Sequence, residues 1–72
     1  MAGPVKRSLT LRGHRTSVSL EAEFWAAFRA IARTDGRAVN ALAADIDEER
    51  EADTGLASAI RVYVLRRVQG GD

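Results

Sequence analysis

The chain of 72 residues contains no cysteine, one proline and one histidine, His14, and aromatic residues make up only 6% of it. The absence of cysteine excludes disulfides and thiolate metal sites, and a single histidine cannot form a metal site by itself. We therefore expect neither a metal nor a cofactor. A domain of this size is only marginally stable without disulfides, a metal or a partner chain. The size of the chain therefore predicts self-association.

Long apolar runs are missing too, since no stretch approaches the ~20 apolar residues that a membrane-spanning helix needs. No apolar segment follows Lys6 and Arg7, so the sequence does not predict a secretory signal. We expect a cytoplasmic protein without a membrane partner. The hydrophobic content of 46% is typical of a folded domain rather than of a disordered chain.

The residue sets of common catalytic sites are absent as well. There is no cysteine nucleophile and no glycine-rich phosphate loop, and His14 has no partners for a Ser-His-Asp set. We therefore expect no enzyme and no catalytic residue. The carboxylates within residues 45–53 lack the spacing of a calcium loop, and we interpret them as a solvated acidic helix face.

Charge is unevenly distributed along this chain of net charge +1. Residues 1–20 contain four basic residues and no acidic residue, whereas residues 45–53 contain six acidic residues and one arginine. The N-terminal segment can therefore approach a polyanion, and the middle of the chain cannot.

Residues 15–20 alternate between polar and apolar character, which predicts a half-buried strand. Its inward face would carry Thr16, Val18 and Leu20, and its outward face Arg15, Ser17 and Ser19. Residues 8–11 alternate too, and Gly13-His14 could turn them back as an extra strand within a basic N-terminal arm, residues 1–14. A lone strand leaves backbone groups unpaired. Its partner is therefore either this segment or the same strand of a second chain. We find no internal repeat.

Three helices are predicted after the strand. The first begins at Glu21 and ends before Gly36, and the second runs from Val39 to Ala52. The third covers residues 56–68 and follows Thr54, a candidate N-cap. This third helix is apolar on more than one side, which indicates burial against another subunit.

The ordered set of these segments resembles the ribbon-helix-helix superfamily. The resemblance is carried by RTSVSL at residues 15–20, the helix after it and DGRAVN at residues 35–40. The chain is most similar to short bacterial ribbon-helix-helix proteins with a motif like RSLTLRGHRTSVSLE (residues 7–21), then Phe24-Trp25, and LASAIRVYVL (residues 56–65). The resemblance implies a mainly α fold with one N-terminal β-strand. Two chains would intertwine through an intermolecular antiparallel β-ribbon, with an additional C-terminal helix in a domain of residues 15–69.

The resemblance also implies a function, namely sequence-specific binding of double-stranded DNA by a homodimeric transcriptional regulator or repressor. The ribbon would enter the major groove, with base contacts from Arg15, Ser17 and Ser19. Phosphate contacts would come from the start of the second helix and from the basic arm, that is from Arg37, Ala38, Val39, Asn40, Lys6, Arg7 and Arg12. The dimer core would comprise Val18, Leu20, Phe24, Trp25, Phe28, Ile31, Leu42, Ile46, Ile60 and Val64.

Two features depart from the family pattern. Ala38 stands where a capping serine or threonine is frequent. The family also has two helices where this chain has three, so either residues 38–52 or residues 56–68 correspond to its second helix; the distance from the strand favours 38–52. The alternative function is that of an antitoxin or another interaction module, whose C-terminal half binds a partner protein.

Overall fold

The computed structural model describes residues 3–70, which form a β-hairpin followed by three helices. In chain order the elements are β1 (Val5–Leu11), β2 (His14–Leu20), α1 (Ala22–Thr34), α2 (Val39–Glu49) and α3 (Leu56–Val68). All three predicted helices are present, and α3 has the predicted bounds. No helix within residues 3–70 combines the length and the apolar character that crossing a membrane requires.

The hairpin is closed by a loop of two residues, Arg12 and Gly13. β1 and β2 are antiparallel, with a register that runs from Leu11 opposite His14 to Val5 opposite Leu20. The φ angles of Arg12 and Gly13 are 50° and 87°. Positive φ at both positions is characteristic of a type I′ turn, whose twist matches that of the flanking strands. The predicted turn at Gly13-His14 was therefore one residue too late.

The two-stranded ribbon is formed within one chain, whereas the resemblance implied a ribbon shared by two chains. β1 begins at Val5, so much of the segment predicted to be an arm is strand, and β2 is not a lone strand. Residues 1 and 2 of the predicted arm lie outside the described residues. Because β1 occupies one edge of β2, a strand of a second chain could pair with β2 only along its other edge.

The core lies between the inner face of the hairpin and the three helices. Its buried side chains are Leu9, Leu11, Val18, Leu20, Trp25, Phe28, Ala32, Leu42, Ala43, Ala44, Ile46, Ile60 and Val64. Of the ten residues predicted for a dimer core, eight are in this set, and Phe24 and Ile31 are partly buried against it. These side chains are therefore buried within their own chain.

The segment between α2 and α3 differs from its prediction at both ends. α2 ends at Glu49 rather than at Ala52. After the end of α2, the Arg50 guanidinium donates at 2.7 Å to the carbonyl oxygen of Thr54, and both residues lie between α2 and α3. The residue that caps α3 is Gly55 rather than Thr54, and no side chain caps the helix there.

Candidate nucleic-acid interface

The side of the hairpin that faces away from the helices is entirely polar. We call it the outer face, and it consists of the exposed residues Lys6, Ser8 and Thr10 of β1 and Arg15, Ser17 and Ser19 of β2. Cross-strand neighbours on it are Lys6 and Ser19, Ser8 and Ser17, and Thr10 and Arg15. The three predicted base-contact residues therefore lie together here. Lys6, a predicted phosphate contact, lies on this face as well. Ser8 and Thr10 were not among the predicted site residues, although the alternation of residues 8–11 indicated a strand there.

The outer face points to solvent because the alternate residues of both strands are buried. Leu9 and Leu11 of β1 and Val18 and Leu20 of β2 belong to the core, and a period of two places their neighbours on the opposite side. Trp25 of α1 contacts the start of β1, because its indole Nε1 donates a hydrogen bond to the Val5 carbonyl oxygen at 2.7 Å. The inner face of the hairpin is therefore packed on the helices, and the outer face is left exposed.

Arg7, predicted as a phosphate contact, is not on the outer face. It lies opposite Val18 on the inner side of the hairpin. Its guanidinium carbon is 5.8 Å from the centre of the Trp25 ring, which is within cation–π range. The arginine is exposed, but its guanidinium is directed over α1 and away from the polar side chains of the hairpin.

Arg12 and Arg37, two other predicted phosphate contacts, are held by acidic side chains of α2. Arg12 bonds Asp45 at 2.9 Å and also Glu48, and Arg37 bonds the second oxygen of Asp45 at 2.7 Å. Hydrogen bonds from Arg37 and then Arg12 lower the pKa of Asp45, and those from Arg12 lower the pKa of Glu48. Two carboxylates therefore compete with any phosphate for these guanidinium groups.

The start of α2 lies beside the outer edge of β1. The Thr10 backbone N–H donates to Asn40 Oδ1 at 3.3 Å, which joins the first turn of α2 to the strand. Ala38 occupies the N-cap without a side-chain hydrogen bond, as its sequence predicted. The first N–H groups of a helix have no partner within it. The predicted phosphate residues Ala38, Val39 and Asn40 are thus next to one edge of the ribbon.

The start of α3 lies beside the other edge, along β2. A groove of about 590 Å³ separates them, lined by Ser17, Ser19 and their neighbours on one side and by Gly55, Leu56 and Ala57 on the other. Arg61 of α3 donates to the Ser19 carbonyl oxygen at 3.4 Å. Each edge of the ribbon is therefore flanked by the first turn of a helix.

The outer face carries two cations, Lys6 and Arg15. None of the ion pairs formed within residues 3–70 involves Lys6 or Arg15. The same part of the chain contains no group of three His, Asp or Glu side chains arranged to hold a metal ion. The chemistry that this surface offers is therefore hydrogen bonding and attraction of anions.

Comparison with known protein families gives one match. A family model of the ribbon-helix-helix domain matches residues 4–68 and so includes the hairpin and all three helices. α3 is thus part of the matched domain. A search of curated proteins and a search of solved structures returned no match. Ribbon-helix-helix domains are generally DNA-binding regulators or antitoxins, typically dimeric and not enzymes. The chain belongs to the ribbon-helix-helix domain family.

Proposed function

We propose that the protein is a sequence-specific DNA-binding transcriptional regulator, acting as a repressor, which inserts the β1–β2 hairpin into the major groove. The observation that carries this proposal is the outer face, an exposed polar surface without an acidic residue, whose two cations form no ion pair within residues 3–70. Paired strands are about 4.8 Å apart. A ribbon of two strands therefore fits a groove about 12 Å wide.

Base contacts are assigned to Arg15, Ser17 and Ser19. Arg15 is exposed and unpaired within the described residues, so its guanidinium is available for two hydrogen bonds to O6 and N7 of guanine. The two serine hydroxyls can each donate or accept, so they tolerate several bases. Arg15 therefore contributes most of the preference.

Phosphate contacts are assigned first to Lys6 and to the backbone N–H groups at the start of α2. Residues Ala38, Val39 and Asn40 are beside the ribbon, and a helix N-terminus attracts anions through its free N–H groups and its dipole. Arg12 and Arg37 contribute less, because they would have to leave Asp45. Arg7 contributes only if it leaves the Trp25 ring.

We keep the homodimer in this proposal but place its contact on α3 instead of on the ribbon. Val62, Leu65 and Val68 of α3 are 43%, 51% and 70% exposed, and a second copy would cover them. Pairing through the free edge of β2 would instead give four strands, about 14 Å between the outermost backbones. Such a sheet is too wide for the major groove. A Leu65→Asp variant is expected to sediment as a monomer at concentrations where the parent chain dimerises.

The state of α3 favours the regulator over the antitoxin alternative. An antitoxin segment that folds on its partner would be expected to lack a core of its own before binding. Ile60 and Val64 of α3 are instead buried in the same core as the hairpin. The C-terminal half therefore supports the DNA-binding surface directly.

The proposal is tested by DNA selection from a random pool, followed by binding titrations of the selected duplex at several salt concentrations. Arg15→Ala is expected to weaken binding of that duplex by about 1–3 kcal/mol, the value of one bidentate arginine–guanine contact. Arg29→Ala is the matched control, since it removes an exposed arginine of α1. The proposal fails if both variants bind like the parent, or if affinity does not fall as salt rises.

A further inference from the structure

Asp45 joins the hairpin turn to the start of α2 through ion pairs. Its Oδ1 accepts from Arg12 in the turn at 2.9 Å, and its Oδ2 pairs with Arg37, just before α2, at 2.7 Å. Glu48, further along α2, binds the same Arg12 guanidinium. We call these four side chains the ion-pair cluster. Its two cations and two anions cancel, so the cluster carries no net charge.

The cluster lies beside the part of the domain that is expected to meet phosphate. Arg37 directly precedes Ala38, the N-cap of α2, and a helix N-terminus attracts anions through its free N–H groups. The Arg37 guanidinium is nevertheless bound to Asp45 and, at 3.4 Å, to the Ala41 carbonyl oxygen. Both partners are further along the helix. A cation next to the candidate phosphate site is therefore held by groups of its own chain.

A carboxylate and a phosphate are alternative partners for an arginine. Each presents oxygens that match the fork of N–H donors on a guanidinium. The Arg12, Arg37 and Asp45 side chains are 53%, 37% and 39% exposed, so a DNA backbone can reach them. Exposed ion pairs contribute little to stability, so they can open when another anion arrives. The cluster can therefore exchange a carboxylate for a phosphate.

On the basis of the proposed function, we propose that Asp45 acts as an internal substitute for a DNA phosphate and lowers the affinity of the chain for DNA of any sequence. In the absence of DNA it holds Arg37, and it shares Arg12 with Glu48. A guanidinium that stays on a carboxylate releases no counterion from DNA. The electrostatic part of binding is thereby reduced, in each chain of a homodimer alike.

The test compares the salt dependence of DNA binding by the parent chain and by Asp45→Asn, on the selected duplex and on an unrelated duplex of equal length. The substitution keeps the shape of the side chain and removes its charge, which frees Arg37. One additional phosphate contact steepens the dependence of log affinity on log salt by about 0.9. The ratio of variant to parent affinity should therefore rise about 8-fold per bound chain for each tenfold fall in salt concentration, equally on both duplexes.

Glu49→Gln is the matched control for the loss of charge. It removes one negative charge from the same helix, and Glu49 forms no ion pair within residues 3–70. Any general electrostatic effect of a less acidic α2 should therefore be the same in Glu49→Gln and in Asp45→Asn. Only the excess of Asp45→Asn over this control measures the release of an arginine.

The way in which the carboxylates share the arginines predicts two further results. Glu48→Gln alone should behave like the control, because Arg12 is still bound by Asp45. Combining it with Asp45→Asn frees both arginines, so the salt dependence should be steeper than that of the parent by about 1.8 per chain. In an Arg37→Ala background, Asp45→Asn should gain nothing beyond the control, since Arg12 remains on Glu48.

A second comparison leaves Asp45 unchanged and so does not depend on the folding of its variants. Lys6 forms no ion pair within the described part of the chain, whereas Arg37 is held by Asp45. Lys6→Ala should therefore flatten the salt dependence more than Arg37→Ala does. Thermal unfolding establishes that each variant is folded before its binding is measured.

The outcomes separate this inference from the proposed function. An excess of Asp45→Asn over Glu49→Gln on both duplexes supports the inference. If Asp45→Asn equals the control, binds more weakly than the parent, or gains on the selected duplex alone, DNA binding stands and the inference is overturned, since phosphate contacts carry no sequence information. If Asp45→Asn does not fold, equal effects of Lys6→Ala and Arg37→Ala overturn it. If the parent binds neither duplex, the proposed function fails and the inference fails with it.

Discussion

Phe28 offers the sharpest test of the single-chain core. Its side chain is 0% exposed and packs with the buried residues of the hairpin and the three helices. Replacing a buried phenylalanine by alanine costs about 3–5 kcal/mol through lost burial and the cavity left behind. A chain of 72 residues has a total stability of about 4–11 kcal/mol at typical values per residue. Phe28→Ala should therefore remove a large part of the stability of the domain.

The assay is thermal unfolding followed by circular dichroism. At about 4–8 °C per kcal/mol for a domain of this size, the midpoint should fall by at least about 12 °C. Arg29→Ala, at the neighbouring exposed position, should change the free energy of unfolding by no more than about 0.5 kcal/mol. A drop of only a few degrees in Phe28→Ala would show that the side chain is not buried as described.

The same assay asks whether a second chain completes the core. If folding required two chains, a 100-fold rise in protein concentration would add about 2.7 kcal/mol, and the midpoint would rise by several degrees. In the Leu65→Asp background we expect no such rise, because the core residues are buried by their own chain. A midpoint that still increases with concentration in that background would refute the argument.

Two further predictions concern acid and the turn. Hydrogen bonds from Arg61, Arg67, Arg37 and Arg12 lower the pKa values of Glu21, Asp35, Asp45 and Glu48 below their ordinary 4.5 and 3.8. The unfolded chain therefore binds more protons than the folded chain, so stability should be constant at neutral pH and fall as the pH drops below about 4.5. Urea unfolding across that pH range measures the free energy of unfolding. Asp35→Asn should lose less of this free energy on acidification than the parent chain does. Equal stability of the parent at about pH 3 and pH 6 would contradict the prediction. Gly13→Ala should cost about 1–2 kcal/mol in urea unfolding at neutral pH, since an alanine is strained at φ 87°. Unchanged stability would rule out the type I′ turn.

Periodicity alone predicted much of this fold. The alternation of residues 15–20 assigned Val18 to the interior and Arg15 to the surface, and both assignments are confirmed. The helices could be predicted from apolar spacing and from Gly36, which has a φ of 67° just beyond α1. Each of these assignments depends only on residues that are close together in the chain, so it could be predicted from the sequence.

The partner of β2 could not be predicted in the same way. A strand with unpaired backbone groups is satisfied equally by a neighbouring segment and by a second chain, so the pattern alone did not decide. The turn that decides it has an arginine at a position of positive φ, where asparagine, aspartate or glycine is usual. Arg12 is tied to Asp45, which is 33 residues further along, and no local pattern reveals such a contact.

The ion pairs of Arg12 and Arg37 were hidden for a similar reason, because a basic residue in the sequence does not show which carboxylate it will meet.

The closure of the ribbon by Arg12 and Gly13 has a consequence for a cell that makes few copies of this protein. A surface assembled from two molecules is half lost when the copy number falls to the dissociation constant of the pair. A hairpin closes within its own molecule in about 1–10 μs, whatever the number of molecules present. The backbone pairing of β1 with β2 therefore forms without an encounter between two molecules, however scarce they are.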